Sequence, residues 1–196
     1  MLYLKCALLH QACFKENPDR MISDRMISGL YTVATLQQAI RAQPDRWRPL
    51  VFTNGCFDLL HAGHVRYLQA ARAFGRSLVV GLNSDRSVGL IKPQAADMPP
   101  RPIVPEAQRA EVLAALKAVD GVVIFSEQTA SQLIADLQPD VYVKGGDYTL
   151  ATLPEAAVVQ AYGGRVELIQ IEVPSSTSAI IQRILQSNHR ESVGPS

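Results

Sequence analysis

The chain has few cysteines, little net charge and no long apolar run. Its three cysteines, Cys6, Cys13 and Cys56, are odd in number and irregular in spacing, which fits neither a disulfide framework nor a zinc site. The 19 basic and 18 acidic residues leave a net charge of +1 without a block of one sign, so neither nucleic acid nor a membrane surface is indicated as a partner. No run approaches the roughly 20 apolar residues of a membrane span. The composition favours a protein of a reducing cytoplasm.

The length of 196 residues and a hydrophobic fraction of 47% suit one packed domain. Residues 1–28 end in the tandem repeat "DRMISDRMIS", which is too short for a structural repeat, and we expect a low-complexity or disordered tail there. A helix should begin just after it, where Thr35 and Gln38 have capping-box spacing. We therefore assign residues 29–187, including this covering helix, to the domain and residues 188–196 to a C-terminal tail.

From Leu50 onward, short β-branched apolar runs alternate with longer helical patterns, which is typical of βαβ units. The alternation predicts a single-domain α/β fold with a doubly wound, Rossmann-like parallel sheet that binds ligands outside the carboxyl ends of its strands. Thr129 is a plausible helix N-cap, Pro105 suits a first helical turn and Gly163 suits a helix stop. The predicted strands cover 50–54, 77–83, 121–125, 140–144 and 165–171, and the predicted helices cover 63–74, 105–118, 129–137, 153–162 and 177–187.

The phrase "NGCFDLLHAGH" contains two of the four histidines of the chain. Asn54 and Gly55 should lie at the carboxyl end of the first long strand, and Gly63 should open a helix whose free N–H groups face the crevice. His61 and His64 can then both point at an anion held by that helix end. On the spacing alone, surface capping explains the pair equally well. A zinc site has weak support, because no further ligands lie at the usual spacing.

Two other phrases have chemistry of their own. The glycines of "KGGD" let backbone approach a ligand beside Lys144, although an ordinary glycine turn has the same composition. The hydroxyls of Ser176, Thr177 and Ser178 stand at a predicted helix N-terminus, where they can bind phosphate oxygens, cap the helix or do both. The sequence thus predicts several anion-binding groups at one edge of the sheet.

Taken together, "FTNGCFDLLHAGHVRYLQAAR", "GLNSD", "KGGDYT" and "STSAIIQRI" resemble the cytidylyltransferase-like HxGH nucleotidyltransferase superfamily. Within it, the chain is most similar to the adenylyltransferases of ADP-heptose synthesis, over about residues 30–185. The resemblance implies transfer of AMP from ATP to D-glycero-β-D-manno-heptose 1-phosphate, which gives ADP-heptose, a precursor of surface polysaccharide, and pyrophosphate. Mg²⁺ is expected to bridge phosphate oxygens of the ATP substrate.

The resemblance also implies roles for individual residues. The catalytic residues would be His61, His64 and Lys92. The remaining site residues would be Arg101 and Arg109 for substrate phosphate, Asp58 and Asp85 as possible substrate or metal contacts, and, for the nucleotide, Asn54, Gly55, Cys56, Phe57, Gly63, Lys144, Gly145, Asp147, Ser176, Thr177 and Ser178.

The chain departs from the family pattern at two places. After Lys92 it has "PQAADMPP" where the family has a glycine and a shorter path, and Pro154 and Glu155 stand in a segment where a glycine followed by an acidic residue is expected. We therefore expect sugar recognition to differ.

Two alternative functions stay open at the level of sequence. One is a CTP-dependent cytidylyltransferase that acts on glycerol 3-phosphate or a similar phosphorylated acceptor. The other is a nucleotide-binding regulator without turnover. In the favoured interpretation the partners are small molecules, ATP and a sugar 1-phosphate, and a homodimer is compatible with the sequence. The chain has no room for the sugar kinase domain that many relatives carry, so a separate heptose kinase is expected to supply the acceptor.

Overall fold

A computed structural model describes residues 28–92, 98–146, 148–170 and 176–190. These residues form one six-stranded parallel sheet with the strand order β1-β4-β3-β2-β5-β6. The strands are β1 Leu30–Tyr31, β2 Leu50–Gly55, β3 Ser77–Asn83, β4 Gly121–Phe125, β5 Val141–Gly145 and β6 Arg165–Ile169. The helices are α1 Val33–Ala42, α2 Pro44–Trp47, α3 Ala62–Arg72, α4 Asp85–Ile91, α5 Glu106–Ala114, α6 Ser131–Leu137, α7 Ala156–Ala161 and α8 Thr177–Arg190.

Helices cover both faces of the sheet and form two apolar cores. On one face, Leu36 of α1, Leu133 of α6 and Val159 of α7 pack against β2 and β5. On the other face, Leu68 of α3 and Leu113 of α5 pack against β2 and β3. Each fully buried side chain of this size contributes about 1.5–3 kcal/mol relative to its exposed state. The predicted doubly wound α/β fold is therefore confirmed.

The strand order places a crevice between β2 and β5. From β2 the chain moves outward through β3 to β4 along the face of α3 and α5, and then returns through α6 on the opposite face to β5. Because the helices that follow β2 and β5 lie on opposite faces, the carboxyl ends of these two neighbouring strands flank an open crevice. None of the helices in the described ranges is both long enough and apolar enough to cross a bilayer.

Most predicted elements are present, with shifts at their ends. The predicted capping box at Thr35 and Gln38 is wrong by one turn, because Thr32 is the N-cap of α1 and Thr35 completes the box as its third helical residue. The predicted Thr129 cap is also wrong, since Ala130 occupies that position without a side-chain cap bond. Gly163 follows α7 with φ of 84°, as expected for a helix stop.

Helix α4 is absent from the prediction made from sequence. Ser84 caps it by accepting a hydrogen bond from Ser87 N, and Val88 is fully buried in the interior of the protein. The segment "SDRSV" is rich in residues that also favour turns, so its local composition does not distinguish a cap from a loop. The predicted 1–28 tail lies outside the described residues except for residue 28, and the 188–196 tail is described only in part, so these domain limits stay predictions.

Candidate active site

A cavity of about 640 Å³ opens at the carboxyl ends of β2, β3 and β5, within the size range of small-molecule sites. Of the described residues among the predicted site, Gly63, Asp85 and Arg109 do not line it. Asp147 lies outside the described residues. The predicted residues that do line the cavity are Asn54, Gly55, Cys56, Phe57, Asp58, His61, His64, Lys92, Arg101, Lys144, Gly145, Ser176, Thr177 and Ser178.

The two histidines lie together at the start of α3. Their ring centroids are 4.0 Å apart, and His61 is the N-cap of the helix. Nδ1 of His61 accepts a hydrogen bond from Gly63 N at 3.1 Å, so neutral His61 carries its proton on Nε2. Burial lowers the pKa of His61 below its ordinary value. The capping and donor roles, which look like alternatives in the sequence, are thus compatible in one side chain.

His64 is the more perturbed of the two. Burial, and then the neighbouring His61, lower the pKa of His64 to about 4. The nearby Leu59 carbonyl raises the pKa of His64 slightly and so opposes this decrease. Nδ1 of His64 is buried, and no described residue forms a hydrogen bond with it in good geometry. Both rings are therefore neutral near pH 7 and able to donate one N–H each.

A tight turn after β2 supports the histidine pair. Phe57 has a positive φ of 44°, which is unusual for a bulky residue, and its buried ring lies 5.3 Å from the ring of His64. Gly55 permits this arrangement, because a Cβ at that position would lie 3.0 Å from the Phe57 ring. Phe57 thus packs behind His64 as well as lining the cavity.

Asp58 and Arg101 form an ion pair at the cavity wall. The Asp58 carboxylate also accepts hydrogen bonds from Ile103 N at 2.8 Å and Val104 N at 2.9 Å. Burial by itself raises the pKa of Asp58, but these hydrogen bonds and the Arg101 charge outweigh it and hold the pKa below its ordinary value. The pair therefore anchors the segment before α5. Because the two charges neutralise each other, neither side chain lines the cavity as an unpaired charge.

Arg109 requires a correction. Its side chain is almost fully buried and donates to the Cys56, Asn83 and Val104 carbonyls at 2.6, 2.9 and 2.8 Å. Its remaining nitrogen contacts Asp85 at 2.7 Å. All three guanidinium nitrogens are thus used within the protein, so the structure gives Arg109 a positioning role in place of the predicted phosphate contact. Asp85 pairs with Arg109 and does not line the cavity, although its side chain is 43% exposed.

The walls on the β3 side and the α8 side carry groups suited to phosphate. Lys92, at the C-cap of α4, is exposed and lines the cavity. Ser176 accepts a hydrogen bond from Ala179 N at 3.1 Å, so it caps α8, and Thr177 donates to the Leu59 carbonyl at 3.4 Å. The hydroxyls therefore cap and tie the helix while they face the cavity. Their binding roles stay predictions.

A polar cluster occupies the wall beneath β5. Lys144 Nζ and the Tyr142 hydroxyl both donate to Asn54 Oδ1, at 3.0 and 2.7 Å. Burial is the main cause that lowers the pKa of Lys144, and the nearby carboxylate of Glu155 opposes it. Asn54 is thus held by two donors at the end of β2.

Sequence reasoning missed several lining residues, among them Thr129, Thr152 and the buried Glu155 as site groups. Glu155 had a detectable signal, since it is one acid within the otherwise apolar stretch "LPEAAVV". No group of three or more histidine, cysteine, aspartate or glutamate side chains in the described ranges could hold a metal ion.

Comparisons with known proteins agree with this architecture. The family model of cytidylyltransferase-like proteins matches residues 52–191. Bifunctional protein HldE of Geotalea uraniireducens is 52% identical over 169 residues, which are 86% of this chain and 33% of that protein. Bifunctional protein HldE of Syntrophotalea carbinolica is 50% identical over 151 residues, 77% of this chain and 30% of that protein. The chain thus spans about a third of the length of these relatives.

One solved structure is similar in both fold and sequence. The lipopolysaccharide core biosynthesis protein from Thermoplasma volcanium GSS1 superposes with a TM-score of 0.51 and 26% identity. The match covers 64% of this chain and 97% of that one.

Proposed function

The chain belongs to the cytidylyltransferase-like family, and we propose that it transfers AMP from ATP to D-glycero-β-D-manno-heptose 1-phosphate. The observation that carries the proposal is the pair His61 and His64, whose ring centroids are 4.0 Å apart at a helix start. The cavity beside them is also lined by Lys92, Lys144 and the α8 hydroxyls. Neutral donors with cations around them suit a reaction between two polyanions. The choice of heptose and ATP rests on the resemblance of "NGCFDLLHAGH", "GLNSD" and "KGGDYT".

In the proposed reaction, an oxygen of the sugar 1-phosphate attacks the α-phosphorus of ATP. A new bond forms between that oxygen and the α-phosphorus, the bond to the bridging oxygen of the β-phosphate breaks, and pyrophosphate leaves with the electron pair. The attacking oxygen is already anionic, so the reaction needs no general base. The remaining difficulties are the repulsion between two polyanions and the charge that develops at the α-phosphate.

The residues of this chain address those two difficulties. His61 donates from Nε2 and His64 donates from its own ring to oxygens of the α-phosphate as charge builds there. Lys92 and the hydroxyls of α8 stabilise the leaving pyrophosphate or the acceptor phosphate. Mg²⁺ would be bound mainly by the phosphates of ATP, since Asp58 pairs with Arg101 and Asp85 pairs with Arg109.

The acceptor must come from a sugar kinase that phosphorylates the anomeric hydroxyl. The relatives are named bifunctional proteins and are about three times as long as the matched region, which supports the coupling of this domain to a second activity. Whether the kinase belongs to the same polypeptide or to a separate one, its product is the substrate proposed here.

The test is release of pyrophosphate by the purified chain with each of the common nucleoside triphosphates against a panel of acceptors. The panel contains heptose 1-phosphate, mannose 1-phosphate and glycerol 3-phosphate. We expect kcat/KM for ATP with heptose 1-phosphate to exceed every other pair by about 10-fold or more. A variant with alanine at both His61 and His64, purified in the same way, controls for contaminating enzymes.

Two results would reject the proposal in different directions. Faster turnover of CTP with glycerol 3-phosphate would place the chain among cytidylyltransferases of small phosphorylated alcohols. Tight binding of a nucleotide without pyrophosphate release for any pair would indicate a regulator that has no turnover.

A further inference from the structure

Glu155 is a buried carboxylate on the cavity wall whose hydrogen bonding is incomplete. Its side chain is only 4% exposed, and Ala130 N donates to Oε1 at 3.2 Å. In the described residues, the backbone N–H of Ala130 is the one donor in hydrogen-bonding geometry with this carboxylate, and the Tyr142 hydroxyl lies close to it. Burial of a carboxylate costs several kcal/mol unless its oxygens are bonded. Because Glu155 also lines the cavity, a bound ligand can supply further donors to it.

The neighbours of Glu155 do not neutralise it directly. The single proton of the Tyr142 hydroxyl is donated to Asn54, and Lys144 makes its one described hydrogen bond to the same amide oxygen. No ion pair within 4.0 Å joins Lys144 to Glu155 in the described part of the chain. The charge of Glu155 nevertheless acts on both groups, because it helps raise the pKa of Tyr142 and partly opposes the decrease in the pKa of Lys144.

This arrangement presents a charged acceptor and a charged donor to the same cavity. The hydroxyls of Thr129 and Thr152 lie on the same lining. A sugar hydroxyl both donates and accepts hydrogen bonds, so neighbouring hydroxyls complement a carboxylate next to an ammonium group. A second phosphate is a poor fit, because the buried carboxylate would repel it.

The position of Glu155 separates it from the phosphate-binding groups. Its partner Ala130 begins the helix after β4, and Ala156, the next residue, packs in the core on the α6 and α7 face. The histidines begin α3, which covers the opposite face, and Thr177 at the start of α8 donates to the Leu59 carbonyl just before them. The cavity thus has a phosphate side and a hydroxyl side.

We propose that Glu155 is a specificity-determining residue that accepts hydrogen bonds from adjacent hydroxyls of the acceptor sugar, with Lys144 donating beside it. This inference rests on the proposed function, because it names the part of the cavity that holds the acceptor in that reaction. The acceptor is favoured over the nucleotide ribose, because Glu155 lies in a segment where the chain departs from the family pattern, whereas the phrases "NGCFDLLHAGH" and "KGGDYT" keep that pattern. It gives a role to the segment where the chain departs from the family pattern.

The first experiment replaces Glu155 with glutamine. Glu155→Gln keeps the volume and one oxygen for Ala130 N, but it removes the charge and turns one acceptor into a donor. We expect KM for heptose 1-phosphate to rise by about 10-fold or more, and KM for ATP to change by less than about 2-fold. Glu111→Gln, on an exposed position of α5 remote from the cavity, is the matched control and should leave both constants unchanged.

A second measurement separates recognition of hydroxyls from a general disturbance. Deoxy analogues of the sugar 1-phosphate should lose about 10-fold or more in kcat/KM with the parent enzyme, and much less with Glu155→Gln, because the partner of the missing hydroxyl is already gone. If KM for ATP rises while the acceptor constant stays fixed, Glu155 binds the ribose and the assignment is overturned. Unchanged constants for both substrates also overturn it. If Glu155→Gln folds poorly, Glu155→Asp, which keeps the charge but shortens the side chain, takes its place in the same comparison.

Thermal protection without ATP distinguishes failure of the inference from failure of the proposed function. Sugar 1-phosphates should raise the melting temperature of the parent more than inorganic phosphate does, and this difference should vanish in Glu155→Gln. If sugar 1-phosphates raise the melting temperature in a Glu155-dependent way but the protein turns over no acceptor, the sugar site is supported and the proposed function is rejected. If the protein forms ADP-heptose but the acceptor KM is unchanged in Glu155→Gln, the proposed function is supported and the sugar site is rejected.

Discussion

At the scale of single residues, the histidine pair combines structural and chemical roles. The Nδ1 atom of His61 caps α3, which directs the remaining proton to Nε2, and burial keeps both imidazoles neutral. A neutral imidazole that is already oriented can donate to a phosphate without first losing a proton or a cap. The dipole of the helix start adds to the same effect.

The double role of His61 predicts how its substitutions differ. His61→Ala removes the cap and the donor, so we expect kcat to fall by about 100-fold, or about 2.7 kcal/mol of barrier, and the free energy of unfolding to fall by about 1 kcal/mol. His61→Asn should restore most of the stability and part of kcat, because asparagine caps well and has an N–H donor. Steady-state kinetics and urea denaturation measure the two effects. Loss of stability with unchanged kcat would reduce His61 to a cap.

The low pKa of His64 predicts a pH dependence of stability. The unfolded chain takes up a proton near pH 6.5, whereas folded His64 does so only near a pKa of about 4. The unfolded state therefore binds more protons between these values, so the stability due to His64 is complete above about pH 6.5 and is lost as the pH falls toward 4. The loss of unfolding free energy from about pH 7.5 to about pH 5, measured in urea, should be smaller in His64→Asn than in the parent.

Lys117→Gln, an exposed substitution, serves as the control and should follow the parent at both pH values. Equal pH dependence in His64→Asn and the parent would mean that burial does not depress the pKa of this side chain.

At the scale of elements, the ends of the strands are held by side chains from distant segments. Arg109 of α5 ties the Cys56 turn after β2 to the end of β3, and Asp58 ties the same turn to the segment before α5. A buried arginine with these partners is costly to remove, since each carbonyl would lose its donor. The elements around the cavity are thus cross-linked before any substrate binds.

Substitution of two glycines tests how tightly the backbone of β3 and of α4 is packed against its neighbours. Gly81 lies in the fully buried strand β3, where an added Cβ would lie 2.6 Å from Cζ of Phe52. Gly89 is exposed in α4, and the nearest atom to its added Cβ is the Arg101 carbonyl oxygen at 3.8 Å. Gly81→Ala should destabilise the protein by about 1–3 kcal/mol, whereas Gly89→Ala should stabilise it by up to about 1 kcal/mol. Urea denaturation measures the free energy of unfolding of both variants. A change of the same sign in the two variants would contradict this packing.

At the scale of the whole molecule, the reversal of strand order brings two chemically different walls to one crevice. One wall carries the histidines of α3, Lys92 of α4 and the hydroxyls of α8, and the other carries Thr129 and Glu155 from the segments before α6 and α7. Neither wall is continuous in the chain. The fold therefore supplies the distance and orientation between the two substrates, which is the main requirement of the proposed reaction.

The first residues of the chain give a test at this scale. A chain that begins at Met26 keeps β1 and the hydrogen bond from Val122 N to the Gly29 carbonyl, and it should keep its melting temperature and activity. A chain that begins at Val33 loses β1, including the edge-on contact of Tyr31 with Trp47 at 5.7 Å, and should lose at least about 2 kcal/mol of stability. Thermal unfolding and pyrophosphate release compare the two chains. Loss of activity in the longer one would show that the preceding residues contribute to the domain.

The sequence by itself determined the fold class and the place of the histidine phrase. Apolar runs such as "SLVVGLN" bury on both faces of a parallel sheet, and this requirement is local enough to be visible as a pattern. Because ligands bind at the carboxyl ends of such strands, the location of the site followed as well.

Only the tertiary structure decided which charged side chains face the cavity. Arg109 and Lys92 look alike in sequence, yet Arg109 is enclosed by carbonyls up to 53 positions away, and Lys92 lines the cavity. Glu155 meets Ala130 across 25 positions and thereby becomes part of the site. The local sequence pattern indicates periodicity and turns. The partners of a long polar side chain depend instead on contacts between distant segments, which exist only once the sheet has assembled.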